Sequence, residues 1–194
     1  MDDGVGQIIR TLREQGVLDN TIIIYTSDNG GEKVAAEKYP GNNGFFRGAK
    51  GGAYEGGCRV PAIFYYPKAW GHRKTSEPMH CIDFMPTFLD MCNVKNPRKV
   101  DGVSMLPTLE KNVPMPQRKL YSAETGFMTV TDGDWKCVWG KNDKMELFNL
   151  MTDRNEEHDL SAMYPERVEG YKKDMQNWWN DCTKGTRLEG RTTW

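Results

Sequence analysis

Several features that would assign these 194 residues to a familiar class of protein are missing. The 26 Lys and Arg residues nearly balance the 27 Asp and Glu residues, so the formal net charge is only −1. That balance excludes a strongly basic nucleic-acid binder and an acidic tail as the main role of the chain. No stretch approaches the ~20 apolar residues that a membrane-spanning helix needs. Neither nucleic acid nor a membrane span is therefore expected.

Cysteine motifs and targeting signals are scarce as well. The five cysteines form no C-x-x-C pair and no Cys/His spacing typical of zinc sites, and their odd number leaves at least one thiol without a partner in the chain. The acidic start, Met-Asp-Asp-Gly, is unlike a signal peptide and predicts either a cytosolic protein or a mature or internal piece. The hydrophobic fraction is only 38%. One interpretation is that part of the core belongs to residues outside this chain.

The first part of the chain predicts alternating helices and strands. Residues 4–16 place apolar side chains at helical spacing and end at Gly16. Residues 21–26, TIIIYT, are a β-branched run typical of a strand buried in a parallel sheet, and residues 62–66, AIFYY, predict a second buried strand. A further helix is expected from about Asp83, with Asp83 as its N-cap. Together these patterns indicate an α/β fold.

The second part predicts a small antiparallel sheet closed by a helix. A segment rich in Pro, Lys and Asn at 93–118 is the best candidate boundary, and it divides the chain into regions 1–112 and 113–194. Short alternating segments follow, with a tight turn expected at Asp132-Gly133. The predicted strands are 119–124, 127–132, 134–140 and 145–150, and the predicted closing helix is 164–180.

Asp28 and Asn29 directly follow the first predicted strand, where open α/β sheets place their functional sites. Carboxylate and carboxamide oxygens are ligands that Ca²⁺ or Mg²⁺ takes in proteins. The competing interpretation is a simple turn, because Asp-Asn-Gly is favourable turn chemistry. Two ligands also do not complete a site for a cation that takes six or more.

Lys50 lies in a long loop rich in Gly and Asn, between Gly48-Ala49 and Gly51-Gly52. Small flanking residues let an ammonium group and the backbone approach an oxyanion together. The alternative is a solvated loop lysine. Glu55 and Arg59 are expected to form an ion pair that fastens this loop.

The histidines offer little evidence for a metal site, because their spacing matches no known ligand pattern. Surface or structural roles are expected for His72 and His158. His80 precedes a helix start, and entry into a site is the alternative to a structural role there. The tryptophans at 135, 139, 178 and 179 are expected to pack in a core against the small sheet.

These motifs taken together resemble the type I sulfatases, particularly the arylsulfatases. The resemblance covers nearly all of residues 4–180 in the family's order and implies part of an alkaline-phosphatase-like α/β sandwich, followed by a small four-stranded antiparallel sheet with a packing helix. The similar stretches are VGQIIRTLREQGVLDNTIIIYTSDNGG, RGAKGGAYEGGCRVPAIFYYP, DFMPTFLDMCNV, DGVSMLP, DGDWKCVWG, ELFNLMTDRNEEHDL and YPERVEGYKKDMQNWW.

The resemblance also implies roles for individual residues. Asp28 and Asn29 match the family's Asp-Asn pair that binds Ca²⁺, for which Mg²⁺ is the alternative cation. Lys50 matches the lysine that contacts the substrate sulfate. Glu55 and Arg59 match the family's E-G-G-x-R stretch, which implies anchoring of the loop. A sulfate ester, of an aryl group or a glycan, is the implied substrate, and a sulfate is expected to meet a local cluster of Arg47, Lys50 and Arg59.

One departure from the family limits the functional prediction. Sulfatases carry a C-x-P/A-x-R motif whose Cys or Ser becomes the formylglycine nucleophile, and none of the five cysteines fits it. We therefore expect the formylglycine in an N-terminal half, supplied by the parent or by another chain, and expect this chain alone to be inactive. The family implies a secreted or lysosomal location. The alternatives are a catalytically inactive sulfatase-derived structural or binding protein, and a phosphoester hydrolase of the same superfamily.

Overall fold

A computed structural model describes residues 1–32, 42–95 and 98–190 of the chain. These residues form two compact units. Unit 1 consists of Met1–Thr26 and Ala62–Pro116, and unit 2 of Ser27–Pro61 and Gln117–Trp194. The boundary predicted between residues 112 and 113 stays a prediction. It lies close to the third crossing between the units, after Pro116, and Ser27–Pro61 is grouped with the C-terminal residues.

Unit 1 begins with the predicted amphipathic helix. The helix α1 spans Asp2–Glu14, with acidic residues in its first turn and Arg13 in its last, as the helix dipole favours. The chain leaves it at Gly16, whose φ of +70° is readily adopted by glycine, which lacks a Cβ. The other elements of unit 1 are β1 (Ile23–Thr26), β2 (Ala62–Tyr65), α3 (Phe84–Met91) and α4 (Leu106–Lys111), with α2 (Glu55–Cys58) lying in unit 2.

The strands β1 and β2 occur where they are predicted but do not form a parallel sheet. They pair antiparallel, with Ile23 opposite Tyr65 and Thr26 opposite Ala62. Both strands also remain half-buried or exposed, and Ile63 is 59% exposed. Strand direction depends on how the chain returns from one strand to the next, which the composition of a strand does not encode. The predictions of parallel pairing and of burial on both faces are therefore wrong for the described residues.

Asp83 lies at the N-cap of α3, as predicted, but its side chain binds elsewhere. The buried carboxylate accepts hydrogen bonds from the backbone N–H groups of His80 at 2.8 Å and Val103 at 3.0 Å. The hydroxyl of Thr87 donates to the Asp83 carbonyl at 2.6 Å and accepts from the Met105 N–H at 2.8 Å. The buried polar groups of this region therefore satisfy one another, as burial away from water requires.

Unit 2 contains the predicted antiparallel meander and its closing helix. The four strands lie in sequence order in one sheet, and the turn at Gly133 adopts the left-handed conformation expected of Asp132-Gly133. The elements are β3 (Lys119–Glu124), β4 (Phe127–Asp132), β5 (Trp135–Gly140), β6 (Met145–Asn149) and α5 (Pro165–Thr183).

The sheet of unit 2 is covered on both faces. One face packs Val130, Cys137 and Leu147 against Tyr171 and Met175 of α5. The opposite face packs a second cluster, in which Val138, Phe148 and Leu150 contact Ala53 and Tyr54. Because β5 faces a core on either side, its buried residues do not follow the alternation of a half-exposed strand. All four tryptophans expected in the core, at positions 135, 139, 178 and 179, belong to or pack against the first cluster.

Among the helices of the described residues, none combines the length and the apolar composition needed to cross a bilayer. All five cysteines lie in the described residues, and none of them forms a disulfide bond there.

Candidate functional site

The loop directly after β1 presents two oxygen-bearing side chains. The Asp28 carboxylate is exposed, and its one hydrogen-bond partner among the described residues is the Ser27 hydroxyl at 3.5 Å. The Asn29 amide nitrogen donates to the Gly30 carbonyl at 2.9 Å, so the amide oxygen keeps its lone pairs. A carboxylate and an amide oxygen placed in this way fit a hard cation such as Ca²⁺. The described residues contain no cluster of three or more His, Cys, Asp or Glu that could complete such a site.

The residues after this loop are joined to Lys50 through backbone groups. The Lys50 N–H donates to the Gly31 carbonyl at 3.1 Å. The Asn43 side chain accepts from the Gly31 N–H at 2.7 Å and donates to the Gly31 and Gly48 carbonyls at 3.1 Å each. The backbone of Lys50 is therefore tied to the chain two residues beyond Asn29. We call residues 42–59, which contain these contacts, the Lys50 segment.

Glycine allows the Lys50 segment to pack backbone against backbone. The Gly30 N–H donates to the Gly57 carbonyl at 2.9 Å, and a Cβ on Gly30 would lie 1.8 Å from the Gly56 carbonyl oxygen. A Cβ on Gly56 would lie 2.5 Å from the Gly48 oxygen, and one on Gly57 would lie 2.5 Å from the Ala49 oxygen. Since heavy atoms cannot approach this closely, larger residues are excluded. The glycines of α2 therefore hold the Asp28–Asn29 loop and the Lys50 turn together.

A buried cluster of charges fastens the first residue of α2. The Glu55 carboxylate lies 2.8 Å from the Lys136 ammonium on β5 and also pairs with Arg59, as predicted from the sequence. Lys136 is 1% exposed and lies 2.9 Å from a carboxylate oxygen of Glu156, an ion pair outside hydrogen-bond geometry. The other oxygen of Glu156 accepts the Glu55 N–H at 2.6 Å. We call Glu55, Lys136 and Glu156 the buried triad.

The pKa values of the two carboxylates of the buried triad are shifted in opposite directions. Burial alone raises the pKa of Glu55, but the positive charges of Lys136 and Arg59 outweigh it and leave the pKa below its usual value. Burial also raises the pKa of Glu156, and the Lys136 charge offsets only part of that effect. Glu55 has two cationic partners and Glu156 has one, and the negative charge of Glu55 further raises the pKa of Glu156.

Arg47 and Tyr54 form a second set of contacts at the edge of the Lys50 segment. The Arg47 guanidinium donates to the Glu156 carbonyl at 2.7 Å and to the Tyr54 hydroxyl at 3.0 Å, and it lies over the Tyr54 ring. The Tyr54 hydroxyl donates to Glu146 at 2.7 Å. Burial, followed by the hydrogen bond to Glu146, raises the pKa of Tyr54 to about 12. Tyr54 therefore stays protonated and acts as a fixed donor.

The three cations that were expected to meet a sulfate differ in whether protein groups already bind them. Arg47 and Arg59 are held by protein acceptors. The exposed Lys50 side chain has no hydrogen bond or ion pair within the described part of the chain. Of this predicted cluster, Lys50 is therefore the cation whose side chain has no partner among the described residues.

The buried triad includes two residues that the sequence does not mark as functional. Lys136 stands in a strand-like run, D-W-K-C-V-W-G, and Glu156 in an acidic stretch, R-N-E-E-H-D, where a solvated position is the ordinary expectation. The one available signal in the sequence is that Lys136 interrupts an otherwise apolar run, W-K-C-V-W, from Trp135 to Trp139. The triad joins positions 55, 136 and 156, which only the tertiary fold brings together.

None of the histidines lies among these groups. The His80 ring accepts a hydrogen bond from the Ile82 N–H at 3.3 Å and so caps the 3₁₀ turn that precedes α3. His158 is exposed, with its ring 3.7 Å from the Asp153 carboxylate. His72 is exposed. In the described part of the chain, all three histidines therefore have structural or surface positions.

The amino-acid sequence is similar to those of known sulfatases. Residues 1–94 match the family model described as Sulfatase. The N-acetylgalactosamine-6-sulfatase of Mus musculus is 34% identical over 160 residues, which cover 79% of this chain and 30% of that protein. The chain thus spans about a third of the length of the curated relatives it matches.

Solved structures extend the similarity over almost the whole chain. The crystal structure of Ps i-CgsB superposes with a TM-score of 0.83 at 28% identity, covering 97% of this chain and 43% of that one. The structure of BT4656 in complex with its substrate D-glucosamine-2-N,6-O-disulfate superposes with a TM-score of 0.68 at 25% identity. It covers 98% of this chain and 40% of that one.

Proposed function

Because this chain belongs to the sulfatase family, we propose that it contributes Asp28, Asn29 and Lys50 to the hydrolysis of a sulfate ester. The observation that carries the proposal is the Lys50 segment. It presents one ammonium group that no described residue neutralises, on a backbone hydrogen-bonded to the loop of Asp28 and Asn29. Family membership also confirms the predicted fold class, an alkaline-phosphatase-like α/β fold with a small C-terminal antiparallel sheet and helix.

Asp28 and Asn29 would hold the cation through their side-chain oxygens, with Ca²⁺ proposed first and Mg²⁺ as the alternative. A divalent cation in such a site supplies Lewis-acid polarisation of the sulfate oxygens. The contribution of Lys50 is electrostatic. Its ammonium group binds the sulfate and neutralises the charge that develops on the sulfate oxygens as the ester bond breaks.

The nucleophile is proposed to come from residues outside these 194. The C-x-P/A-x-R motif does not occur in them, so the formylglycine belongs to an N-terminal half of the same domain or to another chain. The exposed apolar side chains of unit 1 support such a partner, because a large exposed apolar surface usually marks an interface. They include Ile8, Ile63, Met85 and Phe88.

Sulfated glycans are the substrate class that we propose first. Two of the related proteins are named for, or bound to, sulfated amino sugars. The chemistry that recognises the ester itself, an ammonium group beside cation ligands, does not depend on the sugar. Selectivity among sulfated sugars would come from other residues of the complete pocket.

Replacing Lys50 by Ala in the full-length protein tests the proposal. We expect kcat/KM for a sulfate ester to fall by about 10²–10³-fold, the usual effect of removing one group that stabilises transition-state charge. The folded structure should be unaffected, because the Lys50 side chain is exposed and unpaired within the described residues. Sulfate release from sulfated hexosamines, with Ca²⁺ present, provides the measurement, together with the midpoint of thermal unfolding.

Lys173→Ala is the matched control, since Lys173 is an exposed lysine on α5. It removes the same charge from another surface of unit 2 and should leave turnover unchanged. Equal activity of the Lys50 variant and the wild type would refute the assignment of Lys50. A full-length protein without sulfatase activity would instead favour the non-catalytic alternative.

A further inference from the structure

The buried triad lies where stability alone would favour apolar residues. Lys136 is 1% exposed and Glu156 is fully buried, on the face of the sheet that also carries Val138 and Phe148. Removing charges from water is unfavourable, and a well-packed apolar set of similar volume is often at least as stable as a buried ion pair. The charged groups contribute a defined geometry instead, because each hydrogen bond and ion pair fixes the position of one partner relative to another.

We propose that Lys136 and Glu156 are positioning residues that hold the Lys50 segment in place for sulfate-ester hydrolysis, an inference that rests on the proposed function. Neither residue needs to touch the substrate. Their target is Glu55, which begins α2 and contacts both. Its carboxylate pairs with Lys136 at 2.8 Å, and its backbone N–H donates to the Glu156 carboxylate at 2.6 Å.

Glu156 holds the Lys50 segment at two points on either side of Lys50. Its carboxylate accepts the Glu55 N–H, and its backbone carbonyl accepts the Arg47 guanidinium at 2.7 Å. Glu156 also has a φ of +56°, which is unfavourable for a residue with a Cβ. Such a conformation persists only where the surrounding contacts enforce it, and it is concentrated at functional sites.

The backbone packing of α2 transmits this restraint to the proposed ligands. The Gly56 N–H donates to the Arg47 carbonyl at 2.7 Å, and the Gly30 N–H donates to the Gly57 carbonyl at 2.9 Å. Since no side chains separate these backbones, a displacement of Glu55 moves both the turn of Lys50 and the residue after Asn29. A shift of about 1 Å at a reacting group can lower a rate by about 100-fold.

Lys136→Met in the full-length protein is the direct test, with Lys136→Arg as the conservative variant. Two quantities are measured below the unfolding transition: kcat and KM for a sulfated hexosamine, and amide hydrogen exchange of peptides covering residues 42–59 and 127–140. We expect Lys136→Met to lower kcat by about 100-fold. Exchange in the Lys50 segment should accelerate by at least about tenfold, with β4 and β5 unchanged. Lys136→Arg should recover part of kcat.

Lys119→Met is the control for loss of an ion-paired lysine, because Lys119 pairs with Asp174 at 2.6 Å at the surface of the same sheet. It should change neither kcat nor exchange in the Lys50 segment. Wild-type kcat in folded Lys136→Met, or acceleration of exchange spread equally over the sheet, would overturn the proposal in favour of a purely structural role.

Glu156→Gln decides the question if Lys136→Met does not fold. It keeps the shape of the side chain and an acceptor for the Glu55 N–H but removes the charge that faces Lys136. We expect about tenfold faster exchange in residues 42–59 and about tenfold lower kcat, and unchanged values would refute the positioning role. A full-length wild type that releases no sulfate contradicts the proposed function alone, because the exchange rates still report whether the triad holds the segment.

Discussion

Glu55 carries its charge in surroundings that tolerate only paired charges. Its carboxylate forms ion pairs with the buried Lys136 of β5 and with Arg59, which lies four residues further along the chain. Burial disfavours the ionised form, but the two cations reverse that effect and lower its pKa. A carboxylate with a lowered folded-state pKa stabilises the native state above its ordinary pKa, and that contribution is lost as the pH falls through the folded-state value.

The lowered pKa of Glu55 therefore predicts that the effect of Glu55→Gln on the free energy of unfolding depends on pH. At pH 7 the variant should unfold with a free energy about 3 kcal/mol lower than the wild type, because Lys136 loses a buried partner. The difference should shrink as the pH falls below 4.5, the ordinary pKa at which Glu55 of the unfolded chain takes up its proton, and should be lost once the pH falls through the lower folded-state pKa. Urea unfolding of the full-length protein at several pH values between about 3 and 7 would measure both effects.

Glu169→Gln provides the comparison, since Glu169 is an exposed carboxylate on α5. It removes one negative charge without breaking a buried pair. A constant difference between wild type and Glu55→Gln across this pH range would contradict the lowered pKa.

At the scale of elements, glycine decides how closely α2 can approach its neighbours. Gly30 lies in the loop after β1, and a Cβ there would overlap the Gly56 carbonyl oxygen. Gly170 on α5 faces open space instead, and a Cβ added there would have no neighbouring atom within 4 Å among the described residues. The same substitution to Ala should therefore have opposite effects at the two positions.

We expect Gly30→Ala to destabilise the full-length protein by about 1–3 kcal/mol through overpacking and to lower sulfatase activity, because the Asp28–Asn29 loop must move away from α2. Gly170→Ala should stabilise it by about 0.5–1 kcal/mol, since alanine restricts the unfolded chain and favours helix. Urea unfolding and sulfate release would measure these changes. A Gly30→Ala variant as stable and active as the wild type would show that the close backbone packing is not required.

The elements also differ in how far their local sequence predicts them. The helix α5 and the strands β3–β6 follow from periodicity and turn chemistry, because the residues that define each element are neighbours in sequence. The direction of β1 relative to β2 does not follow, since it depends on how the intervening residues, Ser27–Pro61, return the chain. The short helix α4 is not predicted within the Pro-rich segment 93–118, where Pro107 lies in its first turn and is compatible with helix.

At the scale of the whole molecule, the two units differ in their apolar cores as far as the described residues go. Both cores of contacting apolar residues found among the described residues lie in unit 2, whereas no residue of α1 is buried and Ile8 is 59% exposed. We propose that the exposed apolar surface of unit 1 is covered by the N-terminal half of the domain, which would also bring the nucleophile.

The chain of 194 residues by itself is therefore expected to release no sulfate from an aryl sulfate, with or without Ca²⁺. Addition or co-expression of the N-terminal half of the domain should restore turnover, because it supplies the nucleophile. Release of sulfate is the measurement, with the intact full-length protein as the positive control. Robust activity of the isolated chain would disprove the proposed origin of the nucleophile.

The sequence by itself determined the family, most of the elements, the candidate ligands Asp28, Asn29 and Lys50, and the Glu55–Arg59 ion pair. Each of these depends on residues within a short stretch of chain, where spacing alone brings side chains together. Only the tertiary structure decided the antiparallel pairing of β1 with β2, the engagement of Arg47, and the burial of Lys136 and Glu156 beside Glu55. A lysine or glutamate in a polar stretch is ordinarily solvated, and only folding brings position 136 to positions 55 and 156, where opposite charges make burial tolerable.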